Sequence, residues 1–146
     1  MRTGHLSVPA AINLWEGMIR SQMEYGCEIW GSNAWMDGDQ IQHDMARRIL
    51  RCSSQTAIAA MMGDLGWWSL QARRDQRRLI YWGNLVMMPA DRLTKIVYLK
   101  RREVFQHLPS SWCQQTKQLL NVLGLSEYWN DEFRFPRNVE VKKTRL

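Results

Sequence analysis

Four arginines stand within six positions of one another, and a pair of tryptophans precedes them, in the segment GDLGWWSLQARRDQRRLIYW from Gly63 to Trp82. Guanidinium groups pair with phosphates and aromatic rings stack on bases, so this composition is typical of a nucleic-acid contact. The same residues suit a helix whose arginine stems cover apolar surface, with their heads at Asp64, Asp75 or solvent and the aromatic rings in a core. The residues alone leave both interpretations open.

A helical wheel places the arginines on one face of a helix that Ser69 caps and Pro89 ends. Four of them share an arc of about 140°: Arg73, Arg74, Arg77 and Arg78. Tyr81 and Leu85 occupy the same arc farther along, so the face is basic first and aromatic or apolar later. Two further basic groups are weaker candidates for binding nucleic acid: Arg47, Arg48 and Arg51, and then Lys100, Arg101 and Arg102.

Residues that would support catalysis or hold a cofactor are sparse. The cysteines and histidines are scattered without a closely spaced ligand pair, which argues against zinc and against a Cys–His nucleophile. No glycine-rich phosphate loop precedes a helix. Glu140-Val141-Lys142 has the carboxylate-x-lysine form of metal-dependent nucleases, but its place near the C-terminus favours a solvated tail. We therefore expect no catalytic residue, metal or cofactor. The hypothesis that the chain is an enzyme depends on Glu140 and Lys142 alone.

The composition favours one globular domain with an acidic partner. The 146 residues are 45% hydrophobic and include 8 tryptophans, enough to bury a core without disulfides or metal. The net charge of +6 favours a polyanion such as RNA or DNA. Three widely separated cysteines predict reduced thiols and an intracellular location, either nuclear or cytoplasmic. Neither a signal peptide nor an apolar run of about 20 residues is recognised, so no membrane partner is expected.

Hydrophobic periodicity predicts an all-α fold, a single-domain cluster of five to six helices over 1–130. A short irregular aromatic segment, CEIWGSN, is expected after the first helix, and a basic, flexible tail over 131–146. The residues expected to begin helices are Ser7, Asp37 or Asp39, Thr56, Ser69, Asp91, and Ser110 or Ser111. Those expected to end them include Gly26, Gly63 or Gly66, and Gly124. The helix after Asp91 is expected to turn four apolar residues inward: Leu93, Ile96, Val97 and Val104.

Several segments, taken in order, resemble the region after the polymerase core of jockey-like, non-LTR retrotransposon reverse transcriptases. LWEGMIRSQMEYGCEIWG resembles a helix that runs into a Tyr-Gly-x-x-x-Trp turn, with Tyr25, Gly26 and Trp30 at those positions. IQHDMARRILRC is similar to the next helix, and AIAAMMGDLGWWSLQARRDQRRLIYWGNL to the Ala-x-x-x-x-Glu-Leu-Gly segment and the helix after it. MPADRL and SSWCQQTKQLLNVLGLSEYW also fit, so the resemblance covers roughly 4–130. The positions matched within the two helical segments are Gln42, Arg47, Arg48, Ile49, Leu50, Leu65, Gly66, Trp67, Trp68, Leu70, Arg73 and Arg74.

The sequence also departs from that family. Asp64 stands where Glu is usual, and Ser69 where Pro is common; both residues still suit the start of a helix. The catalytic Tyr-x-Asp-Asp and the palm carboxylates that hold two Mg²⁺ ions are missing from the sequence, as is the Cys-Cys-His-Cys knuckle. Polymerisation is therefore not expected of this chain.

The resemblance implies a non-catalytic thumb and post-thumb fragment of an RNA-directed DNA polymerase. In the family this region holds the template–primer duplex by its backbone, which implies weak, sequence-independent binding to RNA or DNA. The alternative is a structural or protein-interaction module, whose Trp- and Met-rich face packs on a missing reverse transcriptase palm domain.

Overall fold

The computed structural model describes residues 6–105 and 107–130, and throughout these residues the chain is helix, turn or loop without a β-strand. The all-α prediction is confirmed. The helices are α1 (Val8–Leu14), a π-helical segment (Trp15–Ile19), α2 (Arg20–Met23), α3 (Cys27–Trp30), α4 (Met36–Leu50), α5 (Ile58–Leu65), α6 (Leu70–Val86), α7 (Leu93–Phe105), α8 (Trp112–Val122) and α9 (Glu127–Asn130). The predicted tail and its boundary at residue 130, together with Glu140 and Lys142, lie outside the described residues.

The described chain divides into two compact units, which are interleaved in sequence. One contains residues 6–26 and 33–73, and the other contains 27–32 and 74–130. The aromatic segment after the first helix begins with the single helical turn α3, which belongs to the second unit. No helix in the described part of the chain is long and apolar enough to cross a bilayer.

The first unit begins with a continuous helical stretch from α1 through the π-helical segment to α2. Ser7 caps it as predicted, because its Oγ accepts a hydrogen bond from the backbone N–H of Ala10 at 3.4 Å. Gly26 follows the stretch with a φ of 65°, a conformation that glycine adopts without the steric cost of a Cβ. The predicted start of this helix is confirmed, whereas the helix ends at Met23, three residues before the predicted stop at Gly26.

Two expected starts in the first unit are wrong for local reasons. Helix α4 begins after Trp35, with both candidate aspartates inside its first turn. A Cβ at Gly38 would lie 2.5 Å from the Trp35 ring, so glycine is what lets that ring cross the first turn. Helix α5 begins after Ala57 rather than Thr56, because the Thr56 N–H closes a turn on the carbonyl of Ser53 at 3.1 Å.

Each unit has its own aromatic core. In the first unit the Trp15 and Trp67 rings stack with centroids 5.3 Å apart, and Met61 and Ile49 are buried with them. In the second unit the Trp82 and Trp129 rings stack at 5.9 Å. The remaining buried members of that second core are Leu79, Leu85, Val86, Tyr98, Cys113 and Leu120.

Helix α7 reverses the orientation that periodicity predicts. Four residues expected to be inward are exposed: Leu93, Ile96, Val97 and Val104. Lys95 and Tyr98 are buried instead. Lys95 Nζ donates to the carbonyl of Val86 at 2.9 Å, and thereby satisfies an acceptor that the end of α6 leaves without a helical partner. The periodicity counts apolar residues only, so it does not detect a buried polar group that finds a partner.

Candidate nucleic-acid interface

The arginines of α6 are divided between the two units, and Arg73 is the last residue of the first. Ser69 caps the helix as predicted, accepting from the N–H of Ala72 at 3.2 Å. Arg73 donates twice to Glu24, with Nε 2.7 Å from Oε1 and Nη2 3.2 Å from Oε2. Because Glu24 is buried, this two-bond pair is shielded from water, and breaking it would leave a buried carboxylate. Arg73 is therefore committed to the fold rather than available to a phosphate.

Arg74 and Arg78 lie in the second unit and are only 1% and 2% exposed. The Arg74 guanidinium carbon is 5.9 Å from the centre of the Trp30 ring, within the range of a cation–π contact. Burial lowers the pKa of Arg78, against the opposing charge of Asp75. Neither guanidinium can reach a nucleic-acid backbone in this structure. Their assignment as phosphate-binding residues stays a prediction, which this packing disfavours.

The helical wheel explains why the predicted basic face divides. With Leu70 at zero and about 100° per residue, Arg74 and Arg78 fall near 40° and 80°. Trp82, a core residue, falls near 120° on the same side. Arg73 and Arg77 lie outside this arc, near 300° and 340°, and Arg77 is exposed. The four arginines share one broad arc, but the aromatic core of the second half of the helix covers half of it.

The second basic group, at the C-terminal end of α4, is the more accessible one. Arg47 is half-buried and paired with Asp44 at 3.2 Å, whereas Arg48 and Arg51 are exposed. Arg51 follows the helix with a φ of 52°, in the left-handed position that glycine usually occupies. Within residues 6–105 and 107–130, no carboxylate is bonded to Arg48 or Arg51. Two positive charges therefore stand together in solvent at one helix end.

A groove of about 660 Å³ lies beside these two arginines. It is open to solvent and runs between the start of the first helix and the end of α4, within the first unit. Besides Arg48 and Arg51 its lining is mainly apolar: Leu6, Val8, Ala11, Leu14, Met45, Ile49 and Leu50, with Ser7. The geometry thus combines a pair of cations with an apolar floor.

The third basic group, on α7, is only partly in solvent. Lys100 and Arg101 are exposed, and Lys100 Nζ lies 3.3 Å from Glu103 Oε2. Arg102 is half-buried, with its guanidinium carbon 4.6 Å from the centre of the Trp129 ring. It also donates from Nη2 to the carbonyl of Trp129 at 2.8 Å. Arg102 therefore has a packing role, while its two neighbours face outward.

Groups that could carry out a reaction are not assembled in the part of the chain that is described. No three His, Cys, Asp or Glu residues there are placed to hold a metal ion. No disulfide joins Cys27, Cys52 and Cys113. Burial raises the pKa of the Cys113 thiol above its ordinary value, which disfavours a thiolate. The described geometry offers cationic and apolar surface, which suits binding.

Sequence reasoning missed two features of these surfaces. Glu24 gives no local signal as the partner of Arg73, because the two residues are 49 positions apart. The periodicity predicts the apolar face of α7 as core, because nothing in the sequence shows that Lys95 and Arg102 on the opposite face find carbonyl partners in the fold. No family model matches the chain, and neither a curated protein nor a solved structure matches it.

Proposed function

We propose that this chain is a non-catalytic, thumb-like part of a retrotransposon RNA-directed DNA polymerase that binds nucleic-acid backbone weakly and without sequence preference. The resemblance of its segments and the net charge of +6 support the proposal. The observation that carries it is the pair Arg48 and Arg51, exposed at one helix end without a bonded carboxylate among the described residues.

The binding surface in this proposal is the end of α4 rather than the arginine face of α6. Arg48 and Arg51 can turn toward a phosphate without giving up an ion pair to any residue that the structure describes, whereas Arg73 would have to leave Glu24. Contacts of this kind neutralise phosphates and release counterions, which gives affinity without reading base edges. Weak binding follows from the small number of such cations among the described residues.

The test is the salt dependence of binding to a short, fluorescently labelled DNA duplex, followed by anisotropy. The log–log slope of affinity against salt changes by about 0.9 for each phosphate contact on B-DNA. We expect Arg48→Gln with Arg51→Gln to make the slope shallower by about two, similarly for duplexes of unrelated sequence. Glutamine keeps the Cβ, so the left-handed backbone at position 51 is equally strained in both proteins.

Arg73→Gln is the control, since it removes one arginine that already has a carboxylate partner. We expect it to lower the melting temperature through the loss of the Glu24 pair and to leave the salt slope unchanged. Absence of binding by the parent at low salt, or an unchanged slope in the double variant, contradicts the proposal. If Arg73→Gln alone makes the salt dependence of affinity shallower, the arginine face of α6 is the binding surface instead.

A further inference from the structure

Helix α7 exposes a continuous apolar stripe. With Leu93 at zero and about 100° per residue, Ile96 falls near 300°, Val97 near 40° and Val104 near 20°. These side chains therefore share an arc of about 100°. Leu93 is 75% and Val104 is 65% exposed. Their spacing of i, i+3, i+4 and i+11 is the pattern with which a helix packs on another helix.

Polar contacts on the opposite face fix the rotation of α7. Lys95, Tyr98 and Arg102 fall between about 140° and 200° on the same wheel. Lys95 donates to the Val86 carbonyl at 2.9 Å, and Arg102 to the Trp129 carbonyl at 2.8 Å. The Tyr98 hydroxyl accepts from Trp82 Nε1 at 3.0 Å. Rotating α7 to turn the stripe inward would break all three hydrogen bonds. These bonds therefore keep the apolar stripe exposed.

The charges around the stripe are mainly positive. Lys100 lies within the arc, near 340°, and Arg101 borders it near 80°; both are exposed. Arg92, just before the helix, is exposed as well. The helix carries four basic residues and one acid, Glu103, whose pair with Lys100 is itself in solvent and therefore weak. A second copy of this chain would bring the same excess of positive charge to the contact.

We propose that the α7 stripe is a docking site for an acidic amphipathic helix of a partner protein. The apolar side of that helix covers Leu93, Ile96, Val97 and Val104, while its carboxylates face Lys100 and Arg101. This is the helix-on-helix mode of recognition, in which apolar anchors supply affinity and flanking charges select the partner. The inference concerns the second unit only and does not depend on nucleic-acid binding by α4.

The test uses the full chain and a fluorescein-labelled synthetic peptide. The peptide carries leucines at i, i+3, i+4 and i+7 spacing and glutamates elsewhere; a control peptide has the same composition in scrambled order. We expect anisotropy to show binding of the patterned peptide at physiological salt and much weaker binding of the scrambled one. Val104→Glu, which removes an anchor and adds a repelling charge, should weaken binding about tenfold or more.

Val122→Glu is the matched control, because Val122 is 82% exposed at the end of a different helix of the same unit. It should leave binding unchanged. Leu93→Gln gives a second, uncharged arm and should also weaken binding, with circular dichroism confirming that both stripe variants stay folded. Equal binding of the two peptides, no binding at all, or equal effects of Val104→Glu and Val122→Glu would each overturn the proposal. So would dimerisation of the parent that Val104→Glu abolishes, because the occupant would then be a second copy.

Discussion

Helices α6 and α7 depart in opposite ways from the buried and exposed faces that their helical wheels suggest. In α6 half of the basic arc that is the candidate nucleic-acid contact is buried, with Arg74 and Arg78 inside. In α7 the apolar arc predicted to be core is exposed, and Lys95 is inside. Both helices bury basic side chains, and in both cases an aromatic residue lies on the buried side: Trp82 in α6 and Tyr98 in α7.

The comparison indicates that large aromatic residues determine which face of a helix is buried in the second unit. A buried aromatic ring removes more apolar area from water than a small aliphatic side chain does, and its polar atom can bond at the same time. Lysine and arginine tolerate the buried side because their long apolar stems pack while their heads find carbonyls or rings. The aliphatic residues of α7 are left on the outside.

The largest effect should follow from breaking the aromatic contact that the two helices share. Trp82 is fully buried, stacks on Trp129 and donates to the Tyr98 hydroxyl. We expect Trp82→Ala to lower the free energy of unfolding by about 3–5 kcal/mol in urea denaturation followed by circular dichroism. Trp68→Ala, at an exposed tryptophan, should cost less than about 1 kcal/mol. Equal effects would show that aromatic burial does not orient α6 and α7.

A smaller effect distinguishes buried from exposed arginine on α6 itself. Arg78→Ala should cost about 2–4 kcal/mol, because it leaves a cavity where a long stem was packed. Arg77→Ala, one residue earlier, should stay within about 0.5 kcal/mol. Arg78→Met keeps an unbranched stem and removes the buried charge, so it should recover most of the loss. Were Arg78→Ala as mild as Arg77→Ala, the guanidinium would be in solvent and the basic face of α6 restored.

The features that could be predicted are those that a few neighbouring residues determine. Ser7 and Ser111 cap the starts of their helices and Gly66 caps the end of α5, because each acts on backbone atoms within one turn. The faces of α6 and α7 depend on partners far away in sequence. The ion pair of Arg73 spans 49 positions, and the bond from Trp112 Nε1 to the carbonyl of Glu28 spans 84. The periodicity of one helix does not show which distant residues its side chains contact. For this reason the sequence favours α6 as the candidate site, whereas the structure favours the end of α4.

The smallest effect uses pH to distinguish the buried lysine of α7 from the buried arginines of α6. Burial lowers the pKa of Lys95 from its ordinary value of 10.5, with the charge of Arg102 acting in the same direction. Between that lowered pKa and 10.5 the folded chain holds fewer protons than the unfolded chain, so the contribution of Lys95 to the free energy of unfolding rises with pH. The buried Arg78 gives no such change, since arginine stays protonated throughout this range.

The measurement is the free energy of unfolding of the parent minus that of Lys95→Met, from neutral pH to about 10.5. We expect this difference to rise with pH, by less than the cavity-forming substitutions cost. Two other groups act in the opposite direction. Burial raises the pKa of Cys113 and of Tyr98, so above pH 9.0 the folded chain keeps protons that the unfolded chain releases, and these two groups lower the free energy of unfolding of the parent. Both groups are present in the variant too, so to first order their effect cancels in the difference. Lys100→Met, at an exposed lysine of the same helix, is the control for the loss of one positive charge, and the difference for Lys95→Met should rise above it. If the difference for Lys95→Met does not change with pH, Lys95 is in water and α7 packs through its apolar stripe. In that case α6 and α7 do not differ in which face is buried, and the α7 stripe is not available for docking.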